Sequence, residues 1–117
     1  MRAERFTLDT NILVYASDAR DPVKHELALQ MIEAAAGQDC PLALQAIGEF
    51  YAVAASKLKL GAKDAALRAG QLLAAFDSFG YSVHAVRAAL DEASKGRFSF
   101  WDAVLLASAA EAGCTTI

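Results

Sequence analysis

One stretch constrains this chain more than any other. It is an apolar run that breaks on three polar residues and then resumes, FTLDTNILVY from Phe6 to Tyr15. Phe6, Thr7 and Leu8 read as a short buried strand, and Ile12 to Tyr15 as the body of a short helix. A strand that stops on Asp9 places a carboxylate at the carboxyl edge of a sheet, where open α/β sheets keep their ligand sites. Thr10 and Asn11 are expected to cap the helix, which leaves Asp9 with no evident structural duty. The competing reading makes Asp9 itself a cap or turn residue, a common place for Asp.

The rest of the chain repeats the alternation. Ser17 to Asp21 is a polar turn, and Asp21 caps a helix that has Pro22 at its first position. Val23, Leu27, Met31 and Ile32 share one face of that helix, which Gly37 ends. Pro41 to Leu44 reads as a second strand. A helix is expected from Gln45 to Leu60, closed by Gly61, and another from Lys63 to Phe79, closed by Gly80. Tyr81 to Val83 reads as a third strand and Ala85 to Lys95 as a helix stopped by Gly96. An aromatic link, Phe98 to Trp101, leads into a last helix from Ser99 or Asp102 to Ala112. Thr115 to Ile117 begins a fourth strand. Strands alternating with helices imply a mainly parallel sheet between helical layers, a three-layer α/β/α arrangement of short strands.

Size and composition narrow the class. The 117 residues suit one domain spanning 1–117, and 56% hydrophobic against 21% charged residues excludes a disordered chain. No apolar run approaches the length that spans a bilayer. The opening MRAERF lacks a signal-peptide core, so a cytoplasmic protein is expected, with no membrane partner. Cys40 and Cys114 read as free thiols in a reducing compartment. With His25 and His84 they form no zinc pattern. A net charge of −3 argues against a broad nucleic-acid-coating surface, though not against a local basic patch.

Most acids lie among polar positions and read as solvated faces. Three do not. Asp9 ends the first strand. Glu49, in QAIGEFYAVAA, sits in a nearly apolar helix and is expected to be partly buried, although Lys57 and Lys59, the nearest downstream cations, are two or more turns away. Asp102 opens the last helix, where Ser99 and Asp102 have capping-box spacing. All three fall near strand ends or first turns, so a parallel layer can gather them. Three close carboxylates repel by on the order of 4 kcal/mol per pair at an effective dielectric near 20. A divalent cation relieves that repulsion, and hard oxygen ligands select Mg²⁺ or Mn²⁺ over zinc.

LDTNILVY, then GEF in a helix, then FSFWDAVLLASA followed by AGCTTI, resemble the PIN-domain family, and within it the VapC-type toxin ribonucleases. The resemblance runs through essentially the whole chain in order and spacing. It implies a metal site on Asp9, Glu49 and Asp102 that cuts RNA, supported by Asn11, with Thr10 and Ser99 behind it. It also implies a cognate antitoxin and a homodimer. The family's fourth acid follows the fourth strand, and this sequence ends at Ile117 before it; a shortened chain is therefore expected, lacking the family's C-terminal segment.

The leading expectation is an Mg²⁺- or Mn²⁺-dependent endoribonuclease in which the metal activates water. Arg87, Lys95 and Arg97 are candidate phosphate contacts, and Trp101 a candidate base-stacking residue. Two alternatives stand beside it. One is a non-catalytic antitoxin- or self-binding module. The other is an Asp-nucleophile phosphatase of haloacid-dehalogenase type, which normally wants a second Asp where this chain has Asn11.

Overall fold

The computed structural model describes residues 4–117. The first three residues of the MRAERF stretch lie outside the described residues. Six helices follow in order among the described residues: α1 (Thr10–Tyr15), α2 (Pro22–Ala35), α3 (Leu44–Ser56), α4 (Gly61–Ala75), α5 (Val83–Ser94) and α6 (Phe100–Glu111). None of them is long and apolar enough to cross a membrane.

Strand pairing is parallel and very short. β1 (Leu42–Ala43) pairs with β2 (Ser78–Phe79), Leu42 opposite Ser78 and Ala43 opposite Phe79. The first and fourth expected strands meet as a single parallel bridge, Phe6 to Thr116. The Thr7 amide donates to the Thr116 carbonyl (3.1 Å) and the Thr115 amide to that of Arg5 (2.9 Å). The Phe6 amide donates to the Asp39 carbonyl (3.2 Å), which ties this edge to the segment entering β1.

The third strand does not lie at Tyr81 to Val83. Ser82 is the N-cap of α5 and its hydroxyl accepts from the Ala85 amide, so Val83 already begins a helix. The extended segment comes earlier because α4 ends at Ala75 rather than Phe79. Phe76 turns extended (φ −125°, ψ 147°) and buries its ring, and Ser78–Phe79 then pairs with β1. Gly80 therefore follows a strand instead of closing a helix.

The core is built from few large side chains and many alanines. Phe50, Leu13, Leu42 and Val104 are fully buried, and Ala28, Ala35, Ala46, Ala54, Ala65 and Ala69 are buried with them. Small Cβ groups let α3 approach α4 and α1 closely, and let α5 approach α6. This reverses the expected inner face of α2. Val23, Leu27 and Met31 are exposed, while Ala28 and Ala35 face inward beside a half-buried Ile32. In α4, Leu67 and Leu73 are likewise exposed, and Ala65 and Ala69 are the residues that pack. Helix α3 starts directly after β1 without a spacer, so Glu49 stands in the second turn beyond a strand end.

Candidate functional site

Asp9 is the N-cap of α1. Its backbone is extended (φ −81°, ψ 168°) and its carboxylate accepts from the Ile12 amide at 3.3 Å. The expectation that Thr10 and Asn11 would cap, leaving Asp9 without a structural duty, is thus corrected. An Asp two residues before Asn11 reaches the third amide of the helix, which Thr10, already inside the first turn, cannot. The cap occupies one lone pair of one carboxylate oxygen and leaves the others available.

Thr10 has a different role. Its hydroxyl donates to Glu49 Oε2 at 2.9 Å, joining α1 to α3. Glu49 is exposed, not partly buried: Ala46, Ile47 and Phe50 turn inward, while Gly48 and Glu49 face solvent. Its carboxylate needs no buried cation for that reason. The second oxygen, Oε1, accepts from Gln45 Nε2 at 2.9 Å. The same nitrogen donates to the Trp101 carbonyl at 3.0 Å, so Gln45 bridges α3 to the start of α6. Gln45 Oε1 is buried without a partner among the described residues.

Ser99 caps α6, its hydroxyl accepting from the Asp102 amide at 3.2 Å. The Asp102 carboxylate is exposed and makes no hydrogen bond among the described residues. Asp9, Glu49 and Asp102, from three elements far apart in sequence, line one open cleft of about 430 Å³. Thr10 and Asn11 line it too, and Phe98, Leu105, Leu106 and Ile117 complete its walls.

The donors in this cleft are oxygens and one Asn amide; no His or Cys lines it. Among the described residues no three acids, histidines or cysteines are spaced to hold a metal ion directly. This donor set fits a hard cation that keeps several waters and takes one or two carboxylates, the usual habit of Mg²⁺.

The candidate RNA contacts are not gathered there. Arg87, Lys95, Arg97 and Trp101 do not line the cleft. Lys95 pairs with Asp91 (2.9 Å) and Arg97 with Glu92 (3.1 Å), both acids of α5. The Trp101 side chain is 54% exposed and stands edge-on to Phe100 (5.0 Å) and Tyr81 (6.4 Å). Gln45 is the residue sequence reasoning missed. Its signal was its place one turn before Glu49 on the same helical face, where i and i+4 side chains meet.

Comparison with known proteins adds two findings. A family model for the PIN domain matches residues 6–117. The fold is similar to the crystal structure of Mycobacterium tuberculosis VapC20, a sarcin–ricin-loop-cleaving toxin, with a TM-score of 0.73 at 16% sequence identity. The match covers 93% of this chain and 84% of that one. The PIN-like α/β fold expected from the sequence is therefore the fold observed, with shorter strands. A search of curated proteins returns no match.

Proposed function

Since the chain belongs to the PIN-domain family, we propose that it is a divalent-metal-dependent endoribonuclease acting in the cytoplasm, the toxin of a toxin–antitoxin pair. The carrying observation is the meeting of Asp9, Glu49 and Asp102 in one oxygen-rich cleft. The likeness to a toxin that cleaves the sarcin–ricin loop supports RNA as the substrate class.

Asp9, Glu49 and Asp102 would hold Mg²⁺ or Mn²⁺, partly through waters. The bound ion would supply a Lewis acid that lowers the pKa of a water and offsets charge on the scissile phosphate. The chain's own groups prepare the site. The helix cap fixes the Asp9 side chain, and Thr10 and Gln45 hold the two Glu49 oxygens. The Ser99 cap sets where α6 begins and so where Asp102 stands. The Asn11 amide can donate to a phosphate oxygen without adding negative charge.

Exposed Val23, Leu27 and Met31 on α2, with Leu67 and Leu73 on α4, support protein partners: a cognate antitoxin and a second copy of the chain. One observation favours an alternative, a module that binds its antitoxin without cutting RNA: among the described residues no three acids, histidines or cysteines form a group that could hold a metal ion. One experiment separates the two. Purified protein is incubated with single-stranded RNA in Mn²⁺ or in EDTA. Cleavage in Mn²⁺ that EDTA and Asp9→Asn each abolish is the expected result. Cleavage undiminished by EDTA overturns the metal requirement, and none under either condition favours the binding module.

A further inference from the structure

We propose that the RNA strand leaves the carboxylate cleft along a groove past α1 to the turn between α3 and α4, where Lys57 and Lys59 hold its phosphates. This rests on the ribonuclease reading above and assigns the substrate a path.

Continuity of the surface is the first observation. A second cleft, of about 560 Å³, shares Thr10, Asn11 and Glu49 with the carboxylate cleft and runs on to Tyr15 and Lys57. A third, of about 290 Å³, shares Asp18, Arg20, Lys57 and Leu58 with the second and ends at Lys59. One groove thus leads from the acids to a basic end.

Charge is the second. Arg20 is bound to Asp18 at 2.8 Å through two nitrogens, and this pairing holds the Asp18 carboxyl down at about 2, so the two charges cancel. Lys95 and Arg97, at the end of α5, are likewise neutralised by their own acids. Lys57 and Lys59 are exposed and have no ion-pair partner among the described residues. In a chain of net charge −3, two unneutralised lysines at one end of a groove give a polyanion a preferred direction. Lys24, whose ammonium lies 5.0 Å from the centre of the Tyr15 ring, adds a cation beside the groove's midpoint.

The backbone is the third. Lys59 has φ 56°, the only positive φ at a non-glycine among the described residues. The Leu58 amide donates to the Val53 carbonyl (3.1 Å) and the Leu60 amide to that of Ala54 (3.1 Å), closing α3 around it. Glycine is the residue this left-handed position favours, and a side chain there is disfavoured. A lysine in this conformation at the mouth of a groove is an outlier that points to a role for its side chain.

The test uses the full chain and a short fluorescein-labelled single-stranded RNA. Anisotropy is read in EDTA over a range of NaCl concentrations, with a gel on the same samples to show the RNA intact. Each lost phosphate contact lowers the slope of log K against log salt by about 0.7, so Lys57→Ala combined with Lys59→Gly should lower it by about 1.4 and weaken binding several-fold. Lys59→Gly alone should leave the melting temperature unchanged or raise it, because glycine relieves the strained backbone. Weaker binding by a variant that is no less stable cannot come from misfolding. In Mn²⁺ the double variant should raise KM and leave kcat unchanged.

Two results overturn the path. One is an unchanged slope in the double variant while the wild type binds and cuts. The other is a slope change carried by Lys95→Ala with Arg97→Ala instead. Should the wild type neither bind RNA nor cut it in Mn²⁺, the ribonuclease reading itself falls, and this path falls with it.

Discussion

Both oxygens of Glu49 are engaged, one by the Thr10 hydroxyl and one by the Gln45 amide. A carboxylate held from two sides is orientated without being buried. Glu49→Gln keeps the shape and removes the charge. The Thr10 hydroxyl can turn to accept from the new amide, and the site is exposed, so the fold should lose no more than about 1 kcal/mol. Cleavage and the Mn²⁺-induced rise in melting temperature should both disappear. Melts with and without Mn²⁺ check this; a large loss of metal-free stability with a preserved Mn²⁺ shift would assign Glu49 to structure. Gln45→Leu removes both donated bonds and also a buried oxygen without a partner. Its stability should therefore change by about 1 kcal/mol or less, while Mn²⁺ affinity, read by calorimetry, falls several-fold. Equal affinity in the two proteins would count against Gln45 as a positioning residue. That the three acids would converge was legible because each falls near a strand end or an early helical turn, and they line one cleft. Helical spacing carried a signal for the bond from Gln45 to Glu49, but the second partner of Gln45, the Trp101 carbonyl, is 56 residues away and no local spacing predicts that bond.

At the scale of elements, helix starts and three of the four strand positions were legible, but the third strand and the end of α4 were not. Asp21 with Pro22 marked the start of α2, and Ser99 that of α6, because caps satisfy backbone amides that the helix itself leaves open. Two-residue strands carry no periodicity to read. Tyr81 to Val83 looked like a strand only because aromatic and β-branched residues favour extended backbone. Ser82 decides otherwise. Its hydroxyl accepts from the Ala85 amide (3.0 Å) and lies 2.8 Å from both Glu111 oxygens, which fastens α5 to the end of α6. Ser82→Ala removes the cap and the fastening together and should cost about 1–2 kcal/mol. Urea unfolding should show a lower midpoint with an unchanged slope. An unchanged midpoint would mean that Val83 starts the helix without help.

At the scale of the whole molecule, residues near the start and the end of the described chain meet. Arg5 pairs with Asp39 (3.1 Å) and donates to the Ala112 carbonyl (2.7 Å), and the Phe6–Thr116 bridge lies alongside. The order of the elements made a parallel layer legible, but how the ends are clamped was not, since Arg5, Asp39 and Ala112 are brought together only by the finished fold. Cys40 is buried at this junction. Burial first, then the neighbouring Cys114 and Asp39, push its thiol up to about 11 from an ordinary 9.0. Burial raises Cys114 as well. A raised pKa means the folded state holds the proton more tightly than the unfolded one. The neutral thiol's contribution is then complete below about pH 9 and is lost as pH rises towards 11. Stability should fall across that window in the wild type and fall less in Cys40→Ala, which has no proton to lose there. Tyrosine and lysine titrations act on both proteins, so the comparison isolates Cys40. Parallel melting curves of the two proteins from neutral to alkaline pH provide the check, and identical pH dependence would show that the junction opens enough to hydrate the thiolate.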